Sequence, residues 1–227
     1  MMAVLLTLEV RQDNNTKDTP WYEFKEGVKF VLHHRLFLTL ILLSWISMFF
    51  GTSYVQIMPL FADMLQSGER GFGLLISATG IGSIIGNLFI SHYQESRKLG
   101  IMMLSSAAIA PFCLIGFSLV AWIFAGKAGV FWMACCFVIL ASALSSVFLV
   151  SSMTVLQVKV PDDFRGRVMG IHSITFSMIS LGGLVAGVIA AKFSAPVAVV
   201  IGALVVISSV TLVVLKFSEI IKLDLNK

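Results

Sequence analysis

The chain has 227 residues, of which 58% are hydrophobic and 12% charged, with a net charge of +4 and a mean hydropathy of +0.96. Soluble domains carry about 25% charged residues, so this composition excludes an ordinary soluble domain and indicates a membrane protein. The basic residues are spread over short loops, which argues against a nucleic-acid partner. The three cysteines lie in apolar runs without metal-ligand spacing, so we expect no disulfide framework, no metal site and no cofactor.

The first 35 residues precede the apolar part of the chain. Residues 1–10 are apolar but reach only about half the length of a spanning helix, and they lack the features of a signal peptide. We interpret them as the stub of a preceding transmembrane helix. Residues 11–35 begin as a polar loop and continue with apolar side chains at helical spacing between charged ones. This pattern predicts an amphipathic helix along the cytoplasmic membrane surface.

Six charge-free runs follow, each longer than the roughly 18 residues that indicate a transmembrane segment. Runs of this length and apolarity predict helices, because barrel strands are short and alternating. We number the predicted spans 1 to 6, at residues 36–62, 71–94, 99–126, 128–158, 168–191 and 193–215. The predicted fold class is therefore an all-α integral membrane bundle over residues 36–217, with a tail at residues 218–227.

The distribution of basic residues predicts the orientation of the bundle. Six spans place both chain ends on the same side, and 13 of the 16 lysines and arginines fall on that side. The other three are Arg70, Lys127 and Lys192. By the positive-inside rule, both termini are expected in the cytoplasm.

Small and polar residues divide the spans into two groups. Spans 1, 2, 4 and 5 carry polar stripes suited to a cavity, whereas spans 3 and 6 are expected to be outer helices facing lipid. The candidate cavity-lining residues are Ser44, Ser47, Tyr54, Asn87, Ser142, Ser145, Ser152, His172 and Thr175. The alternative is that the hydroxyls bond their own backbone and the small residues serve packing alone. The glycines predicted to allow close helix packing are Gly82, Gly86, Gly183 and Gly187.

Two polar residues have alternative interpretations. Placing the polar side chain of Asn87 in lipid costs free energy, so Asn87 should face other helices or the cavity. His172 lies near the predicted cytoplasmic end of span 5, where a solvated interface histidine is favoured over a proton relay. No span has a charged residue near its middle, so this chain shows no obvious group for proton coupling. The sequence also lacks common catalytic motifs, and we predict that the protein is not an enzyme.

The turn VPDDFRGRVMG at residues 160–170 resembles the cytoplasmic loop between helices 10 and 11 of major facilitator superfamily transporters. The closest branch looks like the one that includes the enterobactin exporter and related bacterial efflux permeases. Residues 24–37 resemble that branch's approach to helix 7, and residues 58–65 and 71–86 resemble the end of helix 7 and helix 8. The pattern residues in the turn are Pro161, Asp162, Asp163, Arg165, Gly166, Arg167 and Gly170.

The resemblance implies a twelve-helix fold made of two halves, with this chain as the C-terminal half and its spans as helices 7 to 12. In that family helices 7, 8, 10 and 11 border a central cavity. Cytoplasmic gating is implied for Pro161, Asp162, Arg165, Gly166, Arg167 and Gly170. The family's latch motif between helices 8 and 9 is degraded here: Arg97 and Lys98 remain basic but the Asp-Arg pair is absent.

Three interpretations stay open at this point. The chain is the C-terminal half of a bacterial cytoplasmic-membrane transporter that exports a small amphipathic compound together with an N-terminal six-helix half. Alternatively, a homodimer of this chain rebuilds twelve helices. The third interpretation is a non-transporting remnant or an assembly partner for another membrane protein.

Overall fold

The computed structural model describes residues 20–93, 99–125, 127 and 129–216, and all regular structure in these ranges is helical. The predictions for residues 1–19 and 217–227, and those for Arg97 and Lys98, lie outside the described residues. The amphipathic helix is formed by Pro20–His33. Its face towards the bundle includes Gly27 and Val31, whereas Trp21 on the other face is 73% exposed.

The described part of the chain contains six helices long and apolar enough to cross a membrane, as the sequence predicts. Their bounds, from span 1 to span 6, are Arg35–Met64, Gly68–Tyr93, Leu99–Ile123, Val130–Lys159, Asp162–Lys192 and Ala195–Lys216. Successive spans run in opposite directions, so the bundle has an end that carries the amphipathic helix and an opposite end. The all-α membrane fold class is confirmed.

Span 4 lies between spans 2 and 3 and packs along both of them. Span 3 also packs against span 6, and the middle of span 1 packs against spans 5 and 6. The prediction that span 3 is an outer helix facing lipid stays a prediction, and its exposed side chains include the apolar Ile109, Phe112 and Trp122. Half of its most apolar stretch is buried, against 17% for span 5, because spans 4 and 6 cover it on two sides.

Span 1 is not a continuous α-helix. It begins as an α-helix at Arg35–Ile46, passes through a π-helix at Ser47–Thr52 and a 3-10 helix at Ser53–Ile57, and ends as an α-helix at Met58–Met64. Pro59 explains the 3-10 segment, because proline has no N–H to donate to the carbonyl four residues earlier. That carbonyl, on Val55, accepts the N–H of Met58 instead.

Glycines bring the spans into backbone contact. A Cβ built on Gly82 or Gly86 would overlap the backbone of span 4 at Ile139 and Ala143, respectively. On the other side of the bundle, a Cβ on Gly182 would overlap the carbonyl oxygen of Phe49 in the π-helix. Helices in lipid associate through such close packing, since burying apolar surface gains little there.

The buried apolar side chains form two clusters, one towards each end of the bundle. One cluster surrounds Phe61 and Phe117 at the opposite end, and the other surrounds Leu40 and Leu156 at the end with the amphipathic helix. The buried polar side chains belong to spans 1, 3, 4 and 5 in the described part of the chain.

Candidate functional site

A cavity of about 210 Å³ lies between spans 1, 2, 4 and 5. Seven of its eleven lining residues carry hydroxyl groups, namely Thr52, Tyr54, Thr79, Ser83, Ser142, Ser145 and Ser146. The other four are apolar: Met48, Val55, Leu149 and Ile179. Among the residues that the structure describes, no acidic or basic side chain lines this cavity, so it offers hydrogen bonds and apolar contact without a formal charge.

The irregular part of span 1 forms one wall of the cavity. Met48 and Thr52 belong to the π-helix, and Tyr54 and Val55 to the 3-10 helix that follows it. π-Helical turns are rare and occur frequently at functional sites. Backbone contact with Gly182 holds this segment against span 5.

Spans 2 and 4 form the facing walls, and Gly82 sets their separation. Because Gly82 has no side chain, Thr79 and Ser83 of span 2 come close to the serines of span 4. Tyr54 reaches across from span 1, and its Oη lies 3.2 Å from the Oγ of Ser142. The Ser142 hydroxyl also lies 2.8 Å from the carbonyl oxygen of Val138.

A second, enclosed space of about 20 Å³ lies next to this cavity, between spans 1, 3, 4 and 6. Its volume suits a single water molecule. Pro111 in its wall has no N–H, which leaves the carbonyl of Ala107 without its helical donor. The hydroxyl of Ser47 is buried in the same wall and has no hydrogen-bond partner among the described residues. Two polar groups that a water could join therefore face this space.

The predicted cavity-lining residues occupy several different places. Tyr54, Ser142 and Ser145 line the large cavity, and Ser145 also lines the smaller space together with Ser47. Ser44 and Ser152 are fully buried and lie 3.1 Å apart, Oγ to Oγ, between spans 1 and 4. This pair lies nearer the end with the amphipathic helix and is not part of the cavity lining.

His172 and Thr175 are also absent from the cavity lining. Both are buried in span 5, and His172 is only 2% exposed. The interpretation of His172 as a solvated interface histidine is therefore wrong. Neither the Nε2 atom of His172 nor the hydroxyl of Thr175 has a hydrogen-bond partner within the described ranges. Such burial of polar groups costs free energy unless a partner is supplied.

On span 2, Asn87 lies on a different face from the residues that line the cavity. It is exposed on the surface of this chain, and its contact with other helices stays a prediction. The cavity residues on this span are Thr79 and Ser83, which the sequence analysis missed. Their spacing of four residues beside the Gly82 and Gly86 pair was the available signal, because the glycines mark the face that packs against span 4.

Two of the packing glycines differ in their surroundings. Gly183 lies under the side chain of Gln56, so span 5 approaches span 1 there. A Cβ on Gly187 would meet no atom within 4 Å. The prediction that Gly187 supports close packing is wrong for the described part of the chain.

Arg167 lies in the first turns of span 5 and joins that span to the amphipathic helix. Its guanidinium lies 2.6 Å from Glu26 and 3.9 Å from Glu23, and it also lies over the ring of Phe164. The rings of Phe30 and Phe164 stack with centroids 4.3 Å apart. We call this set of contacts the Arg167 clamp.

The other predicted gating residues at positions 161–170 make only local contacts or none. Arg165 pairs with Asp162 at 2.6 Å, one turn away in the same helix. Pro161 immediately precedes span 5 and is exposed. Gly166 and Gly170 are exposed, and a Cβ on either would meet no atom within 4 Å. The structure therefore connects one of the predicted gating residues, Arg167, to a second element.

Six apolar spans around an uncharged polar cavity define a multi-pass helical membrane protein of the kind that includes solute transporters. The chain belongs to the transmembrane secretion effector family, whose model matches residues 1–226. This makes it a transporter of the major facilitator type, and the resemblance to that superfamily is confirmed. A search of curated proteins and a search of solved structures each gave no match.

Proposed function

We propose that this chain is the C-terminal half of a twelve-helix transporter that exports a small amphipathic compound by alternating access. The observation that carries the proposal is the cavity of hydroxyl and apolar side chains where spans 1, 2, 4 and 5 meet. Substrate sites of secondary transporters lie near the membrane midplane between two repeats. The cavity fits this position, since its lining residues lie near the middle of spans 1, 2, 4 and 5.

The exposed faces of spans 2 and 5 are evidence for a second set of six helices that packs against them. In these two spans only 28% and 17% of the most apolar stretch is buried. Small and polar residues recur on the exposed faces, at Gly73, Ser77, Gly80, Asn87, Ser91, Ser173, Ser177 and Ser180. Such residues favour close contact with other helices over contact with lipid chains. We infer that an N-terminal half, or a second copy of this chain, covers them.

The charge distribution supports an orientation with both termini in the cytoplasm. At the end with the amphipathic helix lie Lys25, Lys29, Arg35, Lys159, Arg165, Arg167 and Lys216. Three basic residues lie at the opposite end, Arg70, Lys127 and Lys192. This excess is typical of the cytoplasmic side.

The proposed membrane is the bacterial cytoplasmic membrane, and the proposed relatives are the efflux permeases of the enterobactin-exporter branch. Both rest on the resemblance of the turn at residues 160–170. Export would proceed by rocking of the two halves around the cavity. Because no charged residue lines the cavity, coupling to protons would rest on groups outside it.

An efflux assay tests the proposal. The chain is expressed alone, and then together with a matching N-terminal half, in a host that lacks its own pumps, and loss of a lipophilic fluorescent dye is followed. We expect efflux with the partner half only. Ser145→Trp should abolish it by filling the cavity, whereas Leu140→Trp, on the exposed face of the same span, should leave it unchanged.

The other outcomes separate the alternatives. Efflux by the chain alone would favour the homodimer over the half-transporter. No efflux in either case, with both halves present in the membrane, would contradict transport and favour a remnant or an assembly partner. Equal activity of the two tryptophan variants would show that this cavity is not the transport site.

A further inference from the structure

We propose that the cavity selects ligands that carry hydrogen-bond donors and no negative charge. This inference rests on the proposed function, in which the cavity holds the transported compound, and it narrows the class of that compound. It follows from where the hydrogen atoms of the cavity hydroxyls point.

The donor direction between Tyr54 and Ser142 can be assigned by elimination. A serine hydroxyl has one hydrogen to donate and two lone pairs to accept with. The Ser142 hydroxyl donates its hydrogen to the carbonyl of Val138 at 2.8 Å. In the 3.2 Å contact with Tyr54, Ser142 is therefore the acceptor and the phenol is the donor. The Tyr54 oxygen then has lone pairs left for a ligand, but no hydrogen.

The cavity-lining hydroxyls of span 2 also donate their hydrogens to backbone carbonyls. Thr79 donates to the carbonyl of Ile76 at 2.6 Å, and Ser83 donates to the carbonyl of Thr79 at 3.0 Å. Bonds of this kind between a hydroxyl and the preceding helical turn are common in helices. Both oxygens keep acceptor capacity after their single hydrogen is used.

The remaining hydroxyls leave more hydrogen-bond acceptors than free donors in the cavity lining. Thr52, Ser145 and Ser146 make no hydrogen bond in the described part of the structure, so each can still donate or accept. The lining therefore offers acceptors on seven oxygens but free hydrogens on only three of them. A ligand with O–H or N–H groups can satisfy this surplus of acceptors.

An anion is disfavoured for two reasons. Within the described part of this chain, the cavity lining has no lysine, arginine or histidine to compensate the loss of water around a negative charge. Four of the hydroxyl oxygens would also present lone pairs, which repel an anionic group. The apolar side chains of Met48, Leu149 and Ile179 remain to contact a hydrocarbon skeleton.

Competition binding with matched probes tests the inference without requiring transport. The chain is reconstituted in nanodiscs and radiolabelled 1-naphthol is displaced by unlabelled 1-naphthol, 1-methoxynaphthalene or 1-naphthoate, with empty nanodiscs subtracted. We expect 1-naphthol to bind about three- to tenfold more tightly than its methyl ether, the range that a single hydrogen bond gives. We expect 1-naphthoate to bind more weakly than 1-naphthol.

Two variants remove acceptors with little change in shape. Tyr54→Phe and Thr79→Val should each reduce the preference for 1-naphthol over the ether. The control is Ser77→Ala, because Ser77 donates to the carbonyl of Gly73 in the same way but lies outside the cavity lining. The ratio of the two affinities is the readout, since a purely structural defect would weaken both ligands together.

The inference is overturned if 1-naphthol and its ether bind equally, if 1-naphthoate binds best, if neither variant changes the ratio or if no saturable binding is found. These results are distinct from failure of the proposed function. Dye efflux that persists without a donor preference would overturn the inference alone. A donor preference without efflux would contradict transport alone.

Discussion

At the scale of single residues, the absence of a side chain at Gly182 determines how close two spans come. Its Cα faces the carbonyl of Phe49 in the π-helix, and backbone atoms cannot move aside as the end of a flexible side chain can. Gly187 lies five residues further along the same helix with nothing within 4 Å of an added Cβ. Gly182 and Gly187 are therefore glycines of the same helix that differ in how closely a neighbouring helix packs against them.

We expect Gly182→Ala to destabilise the protein by about 1–3 kcal/mol, the usual cost of overpacking. Gly187→Ala should be neutral or stabilising by up to about 1 kcal/mol, since alanine favours the helix more than glycine does. The measurement is the thermal unfolding midpoint of each purified variant in detergent micelles. Equal midpoints would contradict the close contact at Gly182.

The sequence predicted some residues of the cavity and missed others for a definable reason. Tyr54, Ser142 and Ser145 follow from polar stripes read at α-helical spacing. The grouping of Ser44 with Tyr54 assumed a regular helix between them, but the π-helix and 3-10 helix alter the angular positions of the residues. Asn87 does not line this cavity, since its cost in lipid indicates some protein contact without saying whether that contact is within this chain.

At the scale of elements, the Arg167 clamp fixes the amphipathic helix against the start of span 5. A Cβ on Gly27 would meet the Cβ of Arg167 at 2.9 Å, so the two helices cross closely at this point. The ion pair to Glu26 is partly exposed, with side-chain exposures of 25% and 38%. We therefore attribute to it about 1 kcal/mol or less, with aromatic stacking in addition.

We expect Arg167→Ala to loosen the amphipathic helix, because both its ion pairs and its contact with Phe164 are lost. Limited trypsin digestion measures this loosening as faster cleavage after Lys25 and Lys29, both exposed on that helix. Arg165→Ala is the matched control, since Arg165 pairs only within its own helix at an exposed site.

Exchanging the charges provides a further check on the clamp. The double variant Glu26→Arg with Arg167→Glu should bring the rate of cleavage after Lys29 back towards that of the original chain. Cleavage after Lys29 is followed alone, because the new arginine is itself a trypsin site. Cleavage that is equally fast in the Arg165 and Arg167 variants would indicate general unfolding and would contradict a specific clamp.

The elements themselves were largely predictable, except within span 1. Long charge-free runs indicate spanning helices because lipid leaves the backbone no other partner. Pro59 was visible in the sequence and accounts for the 3-10 segment. The π-helix before it coincides with packing by Gly182 and Gly202 from two other spans. Such long-range contacts cannot be deduced from the local pattern of residues 47–52.

At the scale of the whole molecule, the excess of basic residues at one end predicts how the chain sits in its membrane. We expect Lys127→Cys and Lys192→Cys to react with a membrane-impermeant maleimide in intact cells. Lys25→Cys should react only after the cells are opened, because it lies at the end proposed to face the cytoplasm. The native Cys113, Cys135 and Cys136 are first replaced by alanine.

Labelling of all three positions in opened cells serves as the control for reactivity. Reaction of Lys25→Cys in intact cells, without reaction of the other two, would invert the proposed orientation. The half-transporter proposal would survive that result, but the assignment of residues 160–170 to the cytoplasm would not.

The π-helix in span 1 affects how the cavity wall that it forms could change. A π turn closes its hydrogen bonds over one residue more than an α turn, so it stores a surplus residue within an otherwise α-helical segment. If the surplus moved along the helix by one turn, the residues it passed would rotate by about 100° while both helix ends stayed in place. Thr52 and Met48 could then exchange with their neighbours at the cavity surface through a local shift in register, without reorientation of the whole span.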